Sequence, residues 1–191
     1  AVIVAAHPGS GIAVDSQGRV YFAAGPMVVM ILTNDVARVI VTDPNHERFY
    51  QLHHLQRAPD GGLLTASDLG NAIWRLTPEG ALSRFYPPEN DVRAVAVGTG
   101  GDPFAVDGIG NVYAVNSAQG RFTQILKIAP DGRVLVLAGG DWGFADGKGL
   151  DARFGDLHSG AMVMAPDGSL VLTDDSARVR RVSAEGTVAT L

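Results

Sequence analysis

Apolar residues in this chain come in short runs, each closed by a glycine-centred turn and followed at once by a second run. The phrase occurs four times: GIAVDSQGRVYFA from Gly11, HLQRAPDGGLLTA from His54, PFAVDGIGNVYAV from Pro103 and AMVMAPDGSLVLT from Ala161. Its turn glycines are Gly18, Gly61, Gly110 and Gly168, at steps of 43, 49 and 58 residues. Two further strands complete each unit. In the last copy, 161–164 and 170–173 lead to 178–182 and 187–191, the final pair joined by Glu185-Gly186. The third copy gives 112–115, 124–128 and 134–138 with an Asp131-Gly132 turn, and the second gives 63–66, 72–76 and 82–86 with Glu79-Gly80. The first reads 20–23, 28–32 and 38–41, with Asn34-Asp35 between the last two. Glycine suits such hairpins because it accepts positive φ without strain. Four strands per unit at this period predict an all-β chain of consecutive four-stranded antiparallel blades of a β-propeller. The blades fall at about 7–42, 50–87, 102–138 and 158–191.

Some runs, such as VLVLA at 134–138, are apolar at successive positions, which predicts strands buried on both faces as blade packs on blade. Composition agrees: 46% hydrophobic, 18% charged and 24 glycines in 191 residues suit short strands with frequent tight turns. A net charge of −5 argues against a general attraction to nucleic acid or to anionic membranes. With no cysteine there can be no disulfide, thiolate zinc site or cysteine nucleophile. No apolar run reaches membrane-spanning length, so no membrane insertion is expected. The chain opens on Ala1 with no leader ahead of it, read here as a leader already removed or as part of a longer protein. A secreted or periplasmic setting is the expectation.

The segment 138–191 carries a resemblance. Its glycine-rich AGGDWGFADGKGLDARF, the basic strand SARVRRV and the closing EGTVATL resemble the inter-blade loop and the last two strands of the NHL-repeat family of β-propellers. The chain is similar also to gluconolactonase-like six-bladed propellers. The first unit departs from the pattern, since PMVVMIL at 26–32 lacks the basic residue supplied elsewhere by Arg75, Lys127 and Arg181. AVIVAA at the start aligns with VLVLAG from Val134, a fourth strand with no blade before it, while the last blade has its own. A closed ring would use a terminal strand to complete an unfinished blade. The expectation is therefore an interior portion of a longer, six-bladed ring, ahead of two alternatives: four blades closing by themselves, or a ring assembled from two copies.

Propellers gather side chains where inner strands converge on the central channel. Here those positions are Ser10, His53 or His54, Asp102 and His158. Histidines and a carboxylate on separate blades have the composition of a divalent zinc, iron or calcium site. The resemblance implies the same chemistry: some NHL-like lyases hold a metal with histidines from alternate blades, and gluconolactonase-like propellers use Glu, Asn and Asp. The plainer reading, ordinary polar residues at a solvated mouth, is favoured because most concave mouths are not catalytic. Asp141, Asp146, Asp151 and Asp156 recur every five residues, a spacing unlike an EF-hand loop, and read as solvated turn acids with Arg153 as a partner. Arg178, Arg180 and Arg181 make too thin a patch for RNA and read as strand-to-strand structure. Trp74 and Trp142 read as packing residues. No catalytic residue is identified. The function read from the sequence is a recognition scaffold for a protein, glycan or small ligand. The alternative is a metal-dependent hydrolase, lactonase-like, or a lyase with its ion in the central channel.

Overall fold

A computed structural model describes residues 11–34, 36–43, 45, 52–67, 72–86, 102–118, 121–157, 160–175 and 177–191. These form four antiparallel sheets, and the only helical turn among them is a 3₁₀ turn at Gly149–Asp151. The first sheet runs β1 (Ile12–Val14), β2 (Val20–Ala23), β3 (Met27–Ile31), β4 (Ala37–Thr42). The second is β5 (Leu52–Arg57), β6 (Leu63–Ser67), β7 (Ala72–Leu76), β8 (Leu82–Tyr86). The third is β9 (Phe104–Val106), β10 (Val112–Ala118), β11 (Phe122–Ile128), β12 (Val134–Ala138). In the fourth, β13 (Gly147–Lys148) precedes β14 (Met162–Met164), β15 (Leu170–Asp174), β16 (Arg178–Val182) and β17 (Thr187–Thr190). Space follows sequence within each meander, each strand pairing antiparallel with the next. The exception is β13, which adds a fifth strand by pairing Gly147 with Val188 and Lys148 with Thr187. The expected leading strand at 1–5 lies outside the described residues.

Turn chemistry alternates between the sheets. In the first, Asp15 Oδ1 accepts the Gln17 and Arg19 backbone N–H groups at 2.8 and 3.0 Å, and Oδ2 accepts the Tyr21 hydroxyl at 3.0 Å. In the third, Asp107 Oδ1 accepts Ile109 and Asn111 N–H at 3.1 and 2.9 Å, and Oδ2 accepts Tyr113 Oη at 3.1 Å. The second and fourth sheets use a later aspartate. Asp60 accepts Gly62 N–H at 3.1 Å and pairs with Arg75, while Asp167 accepts Ser169 N–H at 3.0 Å and pairs with Arg181 at 3.7 Å. Burial alone would raise the Asp15 carboxyl, but Arg19, the turn amides and Tyr21 hold it down at about 2.

The chain divides into two compact units, sheets one and two in the first and sheets three and four in the second. Each unit has its own core. In the first, Ala13, Tyr21, Val28 and Met30 meet Leu52, Leu55, Leu63 and Leu76. In the second, Tyr113, Val115, Ile125 and Leu137 meet Met162, Leu170, Leu172 and Val182. Burying each such aliphatic side chain contributes roughly 1.5–3 kcal/mol. The seam between the paired sheets is built alike in both units. Gly80, in the last hairpin of sheet two, lies against the Ile40 carbonyl of β4, and Gly186, in the last hairpin of sheet four, lies against the Leu137 carbonyl of β12.

Burial corrects one expectation. VLVLA forms β12, the outermost strand of its sheet, where Leu135 and Val136 are 51% and 40% exposed. β6, which stands between two neighbours within its sheet, is buried at every position. A run of apolar residues reports strand character, whereas burial on both faces depends on strand order.

Two tests follow from this geometry. Gly186→Ala should cost about 2–4 kcal/mol, because left-handed strain at φ 80° adds to a Cβ driven into the Leu137 carbonyl. Gly168→Ala has similar φ but open space around it and should cost only about 1–2 kcal/mol; equal losses in chemical denaturation would contradict the close approach. For Asp15, whose pKa is depressed in the fold, the stabilisation is complete above the ordinary 3.8 and lost as pH falls through about 2. The Tm gap between wild type and Asp15→Asn should therefore be constant near neutrality and close between those values.

Candidate functional site

The two adjacent histidines sit on β5 at an irregularity. Leu52 pairs with Ser67, His53 with Ala66 and Leu55 with Thr65, so His54 is the extra residue of a β-bulge, with φ 48°. A bulge breaks strict alternation and re-aims side chains, and such features are frequent beside functional sites. Gly11 makes room for it, since a Cβ there would strike the backbone of His54 and Leu55. Asp102 belongs to the other unit, two residues ahead of β9, and is buried at 7% exposure. His158 and Ser10 lie outside the described residues. The histidines thus share one bulge, and no cluster of three or more His, Asp or Glu able to hold a metal occurs among the described residues.

A different set of residues converges around Arg180. Its neighbours Arg178 and Arg181 are exposed, but Arg180 on β16 has no exposed surface. Nη1 donates to Asp174 Oδ2 at 3.1 Å and to the Arg153 carbonyl at 3.2 Å. Nη2 donates to the Ala145 carbonyl at 3.0 Å and to Asp146 Oδ1 at 2.9 Å. The rings of Phe144 and Phe154 lie 4.6 and 5.2 Å from the guanidinium carbon. A guanidinium is planar and always charged, so burial demands acceptors in its plane and tolerates aromatic faces above it. Asp146 is tied further, accepting Thr190 N–H at 3.1 Å and the Thr190 hydroxyl at 2.9 Å. The Thr190 amide foremost, against the opposing effect of burial, and then the Thr190 hydroxyl and Arg180 hold the Asp146 carboxyl below the usual range. Asp146 is therefore a structural group, whereas Asp141 faces water with Arg153 Nη2 3.8 Å away, as the sequence suggests.

These bonds fix the glycine-rich connector, residues 139–156, between β12 and β14. It closes on itself through Ala145 and Arg153, which exchange backbone hydrogen bonds of 3.2 and 3.0 Å. It also meets β11, where Gly140 O accepts Thr123 N–H at 3.1 Å. Between connector and β11 lies an open cleft of about 520 Å³, lined by Phe122, Gln124, Gly140, Asp141, Leu150, Asp151 and Arg153. That volume falls within the roughly 300–1,000 Å³ of small-molecule sites. Phe122 and the 64%-exposed Leu150 supply apolar wall. Asp141, Asp151 and Arg153 supply charge, and Gln124 Oε1 accepts Asn116 Nδ2 at 3.1 Å. Sequence reasoning missed this cleft. Its acids were visible as a five-residue repeat, but nothing local shows that the connector folds back onto β11.

No family model and no curated protein sequence matches the chain. Among solved structures it is similar to virginiamycin B lyase from Staphylococcus aureus, with TM-score 0.65 and 18% identity over 96% of this chain and 55% of that one. It is similar to a gluconolactonase from Xanthomonas campestris, with TM-score 0.65 and 16% identity over 94% of this chain and 60% of that one. A third is regucalcin, a calcium-binding protein from Agrobacterium tumefaciens, with TM-score 0.62 and 14% identity over 94% of this chain and 58% of that one. The chain spans between half and two thirds of the length of these structures. At such identities the likeness shows the fold alone: all-β, with antiparallel sheets of propeller type.

Arg180→Met should destabilise the second unit by about 3–5 kcal/mol, because it removes one partner of a buried charge pair. Amide shifts in NMR spectra should spread over residues 144–146 and 153. Arg178→Ala loses only an exposed stack on Phe144 at 3.8 Å, about 0.5–1 kcal/mol. Similar effects of the two changes would contradict the anchoring role.

Proposed function

We propose that these sheets belong to an NHL-like propeller, six-bladed as a whole, that acts as a recognition scaffold outside the cytoplasm. Its partner is a protein, glycan or small ligand. The observation carrying this reading is the connector cleft, whose walls are held by a fully buried guanidinium and by backbone pairing with β11. Binding residues on loops fixed by a rigid frame are a common use of repeated folds, because loop sequence can change without disturbing the core. The acidic charge leaves nucleic acid disfavoured as a partner.

A second reading is favoured by the bulge at His53 and His54 and by the names of the structural neighbours, two of which are a lyase and a gluconolactonase. In it, His53, His54, Asp102 and His158 would hold a calcium, zinc or iron ion for a hydrolase or lyase reaction. The donor set suits zinc or iron better than calcium, which prefers oxygen ligands.

Elemental analysis of purified, dialysed protein separates the two. The scaffold reading expects no stoichiometric divalent metal and no change in metal content on His53→Ala or Asp102→Ala. One equivalent of metal, lost in either variant, would replace it with the enzyme reading.

A further inference from the structure

Resting on the recognition reading, the chemistry of the connector cleft narrows the ligand class. We propose that the cleft takes the ring of a neutral sugar, one C–H face against Phe122 and its hydroxyls on Gln124, Asp141, Asp151 and Arg153.

Charge comes first. The lining carries two carboxylates and one guanidinium, with Arg153 Nη2 3.8 Å from Asp141 Oδ2. An anionic ligand would face the net negative charge of this lining, while a cationic one would gain only the single carboxylate that Arg153 does not offset, at an exposed and screened site. A neutral ligand meets no repulsion and relies on neither charge. Hydrogen-bonding capacity comes next. Ionised Asp141 and Asp151 only accept, and Arg153 only donates. Gln124 Oε1 already accepts Asn116 Nδ2 at 3.1 Å, so its amide N–H₂ is the end left to donate. A hydroxyl does both, so a ring bearing several neighbouring hydroxyls can satisfy acceptors and donors set side by side. A wholly apolar ligand would strip water from these charged groups and replace it with nothing.

Shape agrees with charge. A sugar ring has apolar C–H faces and a polar edge, and the cleft lining likewise combines Phe122 and Leu150 with Asp141, Asp151 and Arg153. The electron-rich face of an aromatic ring attracts the slightly positive C–H groups of such a face. About 520 Å³ accommodates one ring with ordered water or two linked rings. Because Asp141 and Arg153 side chains are 81% and 51% exposed, water competes for every bond and binding is weak. It is also insensitive to salt, since no net charge is exchanged.

The test is an amide-shift NMR titration of the full chain with glucose, galactose and maltose, run beside glucosamine and glucuronate as cationic and anionic counterparts. Neutral sugars should saturate shifts at residues 122–124, 140–141 and 150–153, unchanged between low and high salt. Asp151→Asn and Gln124→Ala should each weaken binding about fivefold, the effect of one hydrogen bond. Phe122→Ala should abolish it, and the two polar variants keep the test valid should that change unfold the strand end. Shifts only with glucosamine or glucuronate would overturn the sugar assignment while leaving the recognition reading intact. No shift with any of the five, at concentrations up to solubility, would overturn the assignment and remove the cleft as the support of that reading.

Discussion

A charged guanidinium withdrawn from water must find its acceptors inside the protein, and in the fourth sheet that requirement decides where the connector lies. Arg180 finds two carboxylates and two backbone carbonyls within 3.2 Å. The carbonyls belong to Ala145 and Arg153, so the connector can satisfy the charge only by folding into a closed loop at one place. Asp146, held there by both Arg180 and Thr190, brings Gly147 and Lys148 alongside β17 as a fifth strand. A glycine-rich segment that would otherwise have many conformations is thereby given one. The cleft against β11 is a consequence of that single placement.

Much of the fold was legible because its signals are local. Hairpin glycines such as Gly186 and apolar runs such as 134–138 and 112–115 mark strands and turns within a few residues, and the sheets follow. Burial was less legible, since it depends on strand order. VLVLA is an outer strand with two exposed side chains, while Leu63–Ser67, with Thr65 and Ser67 in it, is fully buried. The acids at 141, 146, 151 and 156 show the same limit. Equal spacing cannot say that Asp146 faces a buried arginine and Asp141 faces water.

The alternation of turn chemistry, Asp15 with Asp107 and Asp60 with Asp167, repeats across the two units, as does the seam at Gly80 and Gly186. The frame is thus made twice from one plan. What differs is the connection that follows: the long glycine-rich connector before sheet four has no counterpart among the described residues of the first unit. Chemistry specific to this chain is therefore sought in that connector and at the His54 bulge, where the repeat is broken. Rigidity matters to both, because a weak ligand gains affinity only when the groups it meets are already in place.

Hydrogen exchange resolved by residue tests the anchoring of the connector most directly. If the buried guanidinium fixes it, the amides of Ala145 and Arg153 should exchange as slowly as those of β16 and share the same opening free energy. Exchange of these two amides at the rate of an unprotected loop, with β16 still protected, would contradict the account.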